Sequence, residues 1–394
     1  MATGVVGPLR CIRLHYGTSE PLAAQAPVKR KAVGSQPIIR TANEFTPMPP
    51  PRPEPGSPRR RSSAKDVARL AGVSTATVSR VINSPEQVDA RTQRLVRDAV
   101  AKLRYVPHGA ARALRSRRSQ MVGAVVPSFD YALYARTTSA MQTVLDPAGY
   151  AMVLAEHHYN LDVEVRITEQ LVSHGVDAFV FVGLYHDPAL FALLESYGKP
   201  YVLTWGVDPM LRHPSIGFDN RAATFEMTRH LIALGHKRFG LLSAPTTGND
   251  RATERGAGMR AALAQAGLDL PDTHVQYGPI DLRAAASMMR KLLAVRKRPT
   301  AVIATNDVFA VGGMLACREA GVRIPEDISI TGVDNTDLGA TQTPALTSIR
   351  TPIVEIGRAA AEQVIARLEG RPFEAFQTFP FELVTRGSTA APVR

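Results

Sequence analysis

Residues 64–83, AKDVARLAGVSTATVSRVIN, restrict the fold of this chain more than any other stretch. Apolar residues recur at helical spacing on both sides of Gly72, so two short amphipathic helices meet across a turn, the pattern of a helix-turn-helix. Ser63 stands three positions before Asp66, a capping-box spacing that satisfies the first free amides of a helix starting near Ala64. Val67, Leu70 and Ala71 form its apolar stripe, with Lys65 and Arg69 pointing elsewhere. Gly72 can take the positive φ that ends this helix. Ser74 offers a hydroxyl cap to the second helix, whose Val78, Val81 and Ile82 pack back on the first. The other face carries Thr75, Ala76, Thr77, Ser79, Arg80 and Asn83, which are mostly short and include no acid. Such a face suits close approach to a duplex: hydroxyls reach phosphates, Arg80 can pair bidentately with guanine, and the methyls of Thr75 and Ala76 can meet thymine. A plain helical hairpin with a hydroxyl-rich surface is the competing reading.

A third helix is expected after Asp89 as its cap, with Thr92, Leu95, Val96, Ala99, Val100 and Leu103 completing a three-helix core. Its opposite face, with Arg91, Arg94, Arg97, Lys102 and Arg104, reads as a solvated surface that contributes only to the field. Charge is segregated along the chain. Residues 1–120 hold 22 Lys and Arg against 7 Asp and Glu, a balance of +15, whereas residues 121–394 hold 25 against 28, a balance of −3. Basicity needed for solubility alone has no reason to gather at one end, so that end is the one expected to meet a polyanion. Residues 1–61, rich in Pro and Arg between 47 and 61, bury too little apolar surface to fold and are expected to be disordered. Their basic clusters at 29–31 and 59–61 can add non-specific affinity through counterion release. Arg10 and Arg13 interrupt any apolar core near the start, and no run of eighteen apolar residues occurs, so neither a secretory leader nor a membrane span is expected. Two cysteines, Cys11 and Cys317, exclude a disulfide scaffold and suit a reducing cytoplasm.

From Met121 onward short apolar runs alternate with helical periodicity. Buried strands are expected at 122–126, 151–155, 178–182, 201–204, 239–243, 301–305 and 328–333, with helices such as 222–234 and 255–266 between them. That rhythm makes doubly wound parallel sheets, and about 270 residues of it suffice for two lobes. The division falls near Asp219, with returns near 347–351 and Phe379, so one lobe takes 121–218 plus 351–378 and the other 219–347 plus 379–388. Polar groups follow strand ends, where ligands bind in such folds: Pro127, Ser128, Phe129 and Asp130, then Trp205, then Asn306 and Asp307, then Asp334. No catalytic constellation is expected, since no Walker A, GxSxG, CxxC or HExxH pattern occurs. His157 and His158 are adjacent and project differently, so no metal site or cofactor is expected. Asp307 and Asp334 alone could supply paired acid and base groups, which keeps an α/β sugar enzyme as an alternative.

The run DVARLAGVSTATVSRVIN, continued by SPEQVDARTQRLVRDAVAKLRYVPHGAARALRSRRS, resembles the headpiece of the lac repressor and galactose repressor family, and the similarity extends nearly to the C-terminus. The resemblance implies a helix-turn-helix headpiece over 62–107 in which Thr75, Ala76 and Arg80 read bases while Ser74, Thr77, Ser79, Asn83 and Tyr105 lie near the DNA backbone. It makes residues 108–119, HGAARALRSRRS, a hinge helix that orders on DNA, with Leu114 wedged into the minor groove. The residues by themselves would read as a basic linker. For residues 120–394 it implies a two-lobed body like the periplasmic sugar-binding proteins, with Leu133, Tyr134, Trp205 and Phe218 as apolar walls of a cleft and Arg255, Asn306 and Asp334 as its hydrogen-bonding anchors. From chemistry alone Arg255 could instead form a structural ion pair with Asp334 or Asp307, Trp205 could fill core, and Asn306 or Asp307 could cap a helix. The implied activity is a cytoplasmic transcriptional regulator, a repressor binding a double-stranded operator as a homodimer and switched by a sugar or sugar acid. A sugar-binding transport receptor would share the body but not the headpiece. The tail after Glu382 lacks a leucine heptad, so a tetramer-forming coiled coil is not expected.

Overall fold

Three helices assemble at the N-terminal end because each opens on a side-chain cap. α1 (Ala64–Ala71) begins with a complete capping box, in which Ser63 Oγ accepts the Asp66 amide at 3.3 Å and Asp66 Oδ2 accepts the Ser63 amide at 2.9 Å. It stops at Gly72, held at φ 68°. α2 (Thr75–Asn83) starts under Ser74, whose Oγ accepts the Thr77 amide at 3.0 Å. α3 (Ala90–Leu103) starts under Asp89, which accepts the Arg91 and Thr92 amides at 3.1 and 2.9 Å and is held below the usual carboxylate range by these bonds, Thr92's first. The structure is a computed structural model that describes residues 62–106 and 118–393. Residues 1–61 and 107–117, and with them most of the expected hinge helix and Leu114, lie outside the described residues.

Val67, Ala68, Ala71, Val78, Val81, Val96 and Ala99 make the small core of this bundle. Two leucines assigned to it from periodicity lie elsewhere: Leu70 is 50% exposed and Leu95 45% exposed. Helical geometry accounts for both. On α1 the buried arc runs from Val67 through Ala71 to Ala68, and Leu70 falls roughly 60° outside it on the far edge; Leu95 stands at the corresponding edge of α3.

Beyond residue 120 a parallel sheet forms from β1 (Met121–Val126), β2 (Ala151–Glu156), β3 (Ala178–Val182), β4 (Tyr201–Thr204) and β5 (Ser215–Gly217), in the order β5-β4-β3-β1-β2. α4 (Ala132–Leu145), α5 (Leu161–Ser173) and α6 (Pro188–Ser196) connect its strands. The next segment repeats this plan. β6 (Phe239–Ser243), β7 (Val275–Tyr277), β8 (Ala301–Ala304), β9 (Ser329–Val333) and β10 (Thr347–Arg350) pair as β10-β9-β8-β6-β7, joined by α8 (Asp250–Gln265), α9 (Leu282–Leu293), α10 (Asp307–Glu319) and the single turn α11 (Asp337–Ala340), after α7 (Asn220–Ala233) leads in. The chain then returns: α12 (Ile353–Glu369) packs on α4, β11 (Phe376–Thr378) extends the first sheet beside β5, and β12 (Glu382–Val384) closes the second, antiparallel to β10. Each sheet therefore reverses its strand order beside its first strand, which puts a crevice at the carboxyl ends of β1 and β3 in one lobe and of β6 and β8 in the other.

β2 differs from its expected burial. It is an edge strand with a neighbour only in β1, and Leu154 on it is 43% exposed. The three-residue strands β5, β7, β11 and β12 escaped the sequence reading because three residues hold too little of a period-two pattern to detect. Among the described residues, no helix is long and apolar enough to cross a membrane, and no group of three or more His, Cys, Asp or Glu side chains is placed to hold a metal ion.

Candidate functional site

On α2 the candidate duplex-facing residues divide into two groups. Thr75, Ala76 and Arg80 are exposed, and the Arg80 guanidinium makes no hydrogen bond or ion pair among the described residues. The others are engaged at home. Ser74 caps the helix and its hydroxyl lies 2.9 Å from that of Thr77, and Asn83 Nδ2 donates to the Ser79 carbonyl at 2.7 Å and to its hydroxyl at 3.2 Å. Tyr105 is partly buried against the helical core. The outward face of α2 therefore offers two small methyl-bearing side chains and one guanidinium held ready by a pre-bonded frame.

In the two-lobed body all seven expected cleft residues are buried, each at or near a strand's carboxyl end or a helix's first turns. Leu133 and Tyr134 open α4; Trp205 follows β4 and Phe218 follows β5; Arg255 lies in the second turn of α8; Asn306 precedes α10 and Asp334 follows β9. Leu133, Tyr134, Trp205, Arg255 and Asn306 line one cavity of about 30 Å³, room for roughly one water. It adjoins a larger space of about 510 Å³ that shares Tyr131, Tyr159 and Asn249 with it and runs out past Ser128 and Asp130.

Phe218 and Asp334 do not line the small cavity; they are joined to it through Arg255. Its Nε donates to Asn220 Oδ1 at 2.8 Å, one Nη donates to the Thr305 carbonyl at 2.5 Å, and the other stands 3.7 Å from Asp334 Oδ1, with the Phe218 ring centroid 5.9 Å from the guanidinium carbon. The structural ion pair weighed for Arg255 is thus made, with Asp334, and it is made by a side chain that also faces the cavity. Asn306 accepts the Phe309 amide at 2.9 Å, so it is the residue of the 306–307 pair that caps α10. Asp307 is engaged elsewhere: the Thr336 amide and hydroxyl donate to it at 2.6 and 2.8 Å and the Ser348 hydroxyl at 2.6 Å. Burial, then the charge of Asp334, pushes its carboxyl up to about 7.

Trp205 Nε1 is buried here without a hydrogen-bond partner, whereas Asp334 Oδ1 accepts no hydrogen bond but faces the Arg255 guanidinium at 3.7 Å. An unpaired buried polar group costs about 1–3 kcal/mol, so the open Trp205 donor in the wall of this cavity marks a place where a ligand oxygen would be stabilised. Trp205 also sits at φ 74°, a conformation that side chains other than glycine adopt at a cost, with its carbonyl held by Asn220 Nδ2 at 2.7 Å.

Four residues that sequence reasoning passed over help build the site. Tyr131 reaches across from the first lobe and donates its hydroxyl to Asp334 Oδ2 in the second; burial and then that carboxylate raise the phenol well above its usual value. Asn220 holds both Arg255 and Trp205. Arg251, buried and paired with Asp250 at 2.8 Å, reaches Gly183 of the first lobe and shares the cavity wall with Tyr159. Its place one helical turn before Arg255 was the available signal, since residues four apart share a helix face. Nothing in the sequence pattern separates Tyr131 and Tyr159 from core tyrosines.

Residues 63–108 match the family described as bacterial regulatory proteins of the lacI family, and residues 228–389 match the periplasmic binding protein-like domain. The HTH-type transcriptional regulator GalR of Escherichia coli K12 is 33% identical over 332 residues, covering 84% of this chain and 96% of the relative. The chain belongs to the lacI family. As a member it is a transcriptional regulator, with a helix-turn-helix headpiece and a two-lobed body. Another lacI relative, CelR of Thermobifida fusca, is 32% identical over 80% of this chain and 94% of its own length. The lac repressor dimer bound to operator and the anti-inducer ONPF superposes with a TM-score of 0.75 at 27% identity, covering 84% of this chain and all of that one. A CelR–cellobiose complex superposes with a TM-score of 0.62 at 29% identity, covering 83% of this chain and 100% of that one.

Proposed function

We propose that this chain is a cytoplasmic repressor that binds a pseudo-palindromic operator as a homodimer and changes its grip when a sugar or sugar acid enters the interlobe cleft. Thr75, Ala76 and Arg80 read base edges, and Ser74, Thr77, Ser79, Asn83 and Tyr105 position the headpiece on phosphates. Arg255, Asn306 and Asp334 anchor ligand hydroxyls against Leu133, Tyr134, Trp205 and Phe218. The lac repressor is known as a dimer on its operator with the anti-inducer ONPF, and CelR in complex with cellobiose, which supports the same classes of partner here.

The observation that carries the ligand reading is the unpartnered Trp205 Nε1 in a cavity whose walls come from both lobes and include the Arg255 guanidinium. A hydroxylated ligand binds the closed arrangement better than the open one, which shifts the lobe angle and hence the spacing of two headpieces. The small cavity is too tight for a sugar, so the ligand-bound lobes take up the adjoining space of about 510 Å³, within the roughly 300–1,000 Å³ common for such ligands. Fluorescence anisotropy on the chain's own promoter region and on scrambled duplex, with a panel of sugars and sugar acids, tests the proposal. Preferential binding to the promoter that at least one compound shifts tenfold is the expected result; equal affinity for both duplexes under every condition refutes it.

A further inference from the structure

A second cavity, of about 840 Å³, lies where β4 begins and α12 ends, at the opposite end of β4 from Trp205. Four rings, from Phe191, Tyr201, His213 and Phe373, share its wall with the cations Lys199, Arg212, Arg367 and Arg371, and Glu195 is the one acid lining it. Arg212 and Arg371 already have carboxylates, Asp208 at 3.7 Å and Glu369 at 2.6 Å. Lys199 and Arg367 have none within 4.0 Å among the described residues.

Arg367 decides what this cavity is for. Its guanidinium is half-buried, 5.8 Å from the Tyr201 ring centroid and 5.3 Å from that of Phe373, and it donates to the Tyr201 carbonyl. Taking a cation from water without a counter-charge is unfavourable, and two ring faces with one carbonyl offset only part of that. A guanidinium with free donors facing a cavity is therefore stabilised by whatever anion enters. Beside it the Phe191 and His213 rings stack at 3.9 Å and 13°, and His213 Nδ1 is fixed by the Tyr201 hydroxyl at 2.7 Å, which gives the cavity a rigid flat wall. Phe373 adds a ring that is 44% exposed at the rim.

We propose that this cavity is a second ligand site, separate from the interlobe cleft, for a small organic anion that joins a phosphate or carboxylate to a planar ring. The charge sits against Arg367 and Lys199 and the ring lies on the aromatic wall. The site needs no contribution from the cleft residues, so a chain that bound no sugar would leave it standing.

Titration calorimetry on the full chain with adenosine 5′-monophosphate, adenosine and inorganic phosphate separates the two parts of the claim. The monophosphate is expected to bind at least tenfold more tightly than either fragment, and Arg367→Met and Phe373→Ala are each expected to weaken it tenfold or more. Where Arg367→Met unfolds the chain by freeing the Tyr201 carbonyl, Lys199→Met and Phe373→Ala, at the rim, carry the same test. Absence of monophosphate binding overturns the proposal, as does binding that survives Arg367→Met and Phe373→Ala but disappears in Arg255→Ala, which would place the nucleotide in the cleft. Inorganic phosphate binding as tightly as the monophosphate overturns the assignment of a ring.

Discussion

Arg80 and Asp307 are both single charged side chains, and their surroundings give them opposite roles. Arg80 is exposed with nothing to hold it, so its free energy is spent on a partner. A bidentate contact to guanine is worth about 1–3 kcal/mol of discrimination, so Arg80→Ala should cut the preference for promoter over scrambled duplex roughly 10- to 100-fold while weak, salt-sensitive binding persists. Equal loss on both duplexes in an anisotropy titration would show that Arg80 touches only phosphate. Asp307 is buried under three donors and beside Asp334, and its carboxyl is pushed up to about 7. Its folded-state value exceeds the unfolded one, so the folded chain holds the proton longer and stability falls as pH rises from about 4 to about 7, then levels off. Asp307→Asn should flatten the melting temperature over that window, the Ser348 hydroxyl turning to accept from the new amide; an unchanged slope in a thermal melt series places the titration elsewhere. Asp307 was readable in the sequence only as one of two polar residues after a strand. The competition for a single cap, won by Asn306, is a matter of backbone geometry that composition does not carry.

At the level of the helix or strand, legibility followed length and caps. Ser63, Ser74 and Asp89 were visible as N-caps because the chemistry is local, a side-chain oxygen two or three residues from the amide it accepts. Removing the hydroxyl in Ser74→Ala should cost about 1 kcal/mol and lower the headpiece melting transition, followed by circular dichroism, since the Thr77 amide loses its acceptor at the start of α2. A melting curve identical to wild type would mean that the Val78 and Val81 packing alone sets α2. Leu70 and Leu95 show where periodicity overreaches, because it marks an apolar side chain without knowing whether a neighbouring helix is there to cover it. The strands of four or more residues were found at nearly their observed positions, apart from β10, which read as a crossover. β5, β7, β11 and β12 are defined by the ladder they join, which no three-residue window reveals.

On the scale of the molecule, the cleft exists because residues distant in sequence close on one another, Tyr131 on Asp334 and Arg251 on Gly183. A Cβ at Gly183 would stand 2.1 Å from Arg251 Nη1 and 2.6 Å from Asp250 Oδ1, on a backbone with φ 103°. Gly183→Ala should therefore push the Arg251 and Asp250 side-chain ends out of this bridge and strain the backbone at φ 103°, weakening effector binding several-fold, with Gly183→Ala/Arg251→Ala no weaker than Arg251→Ala alone, as calorimetry can follow. Wild-type affinity in Gly183→Ala would remove this contact from closure. These pairings were invisible in the sequence, which showed two similar halves but not which side chains bridge them. The chain passes between its two sheets three times, at 217–220, 350–353 and 378–382, each passage only a few residues long. Three short straps side by side forbid sliding and twisting and leave one rocking axis, like the spine of a book. Any solute that closed the two lobes on itself would thus produce the same displacement on every occasion, and fit to its shape would become precision in where the two halves come to rest.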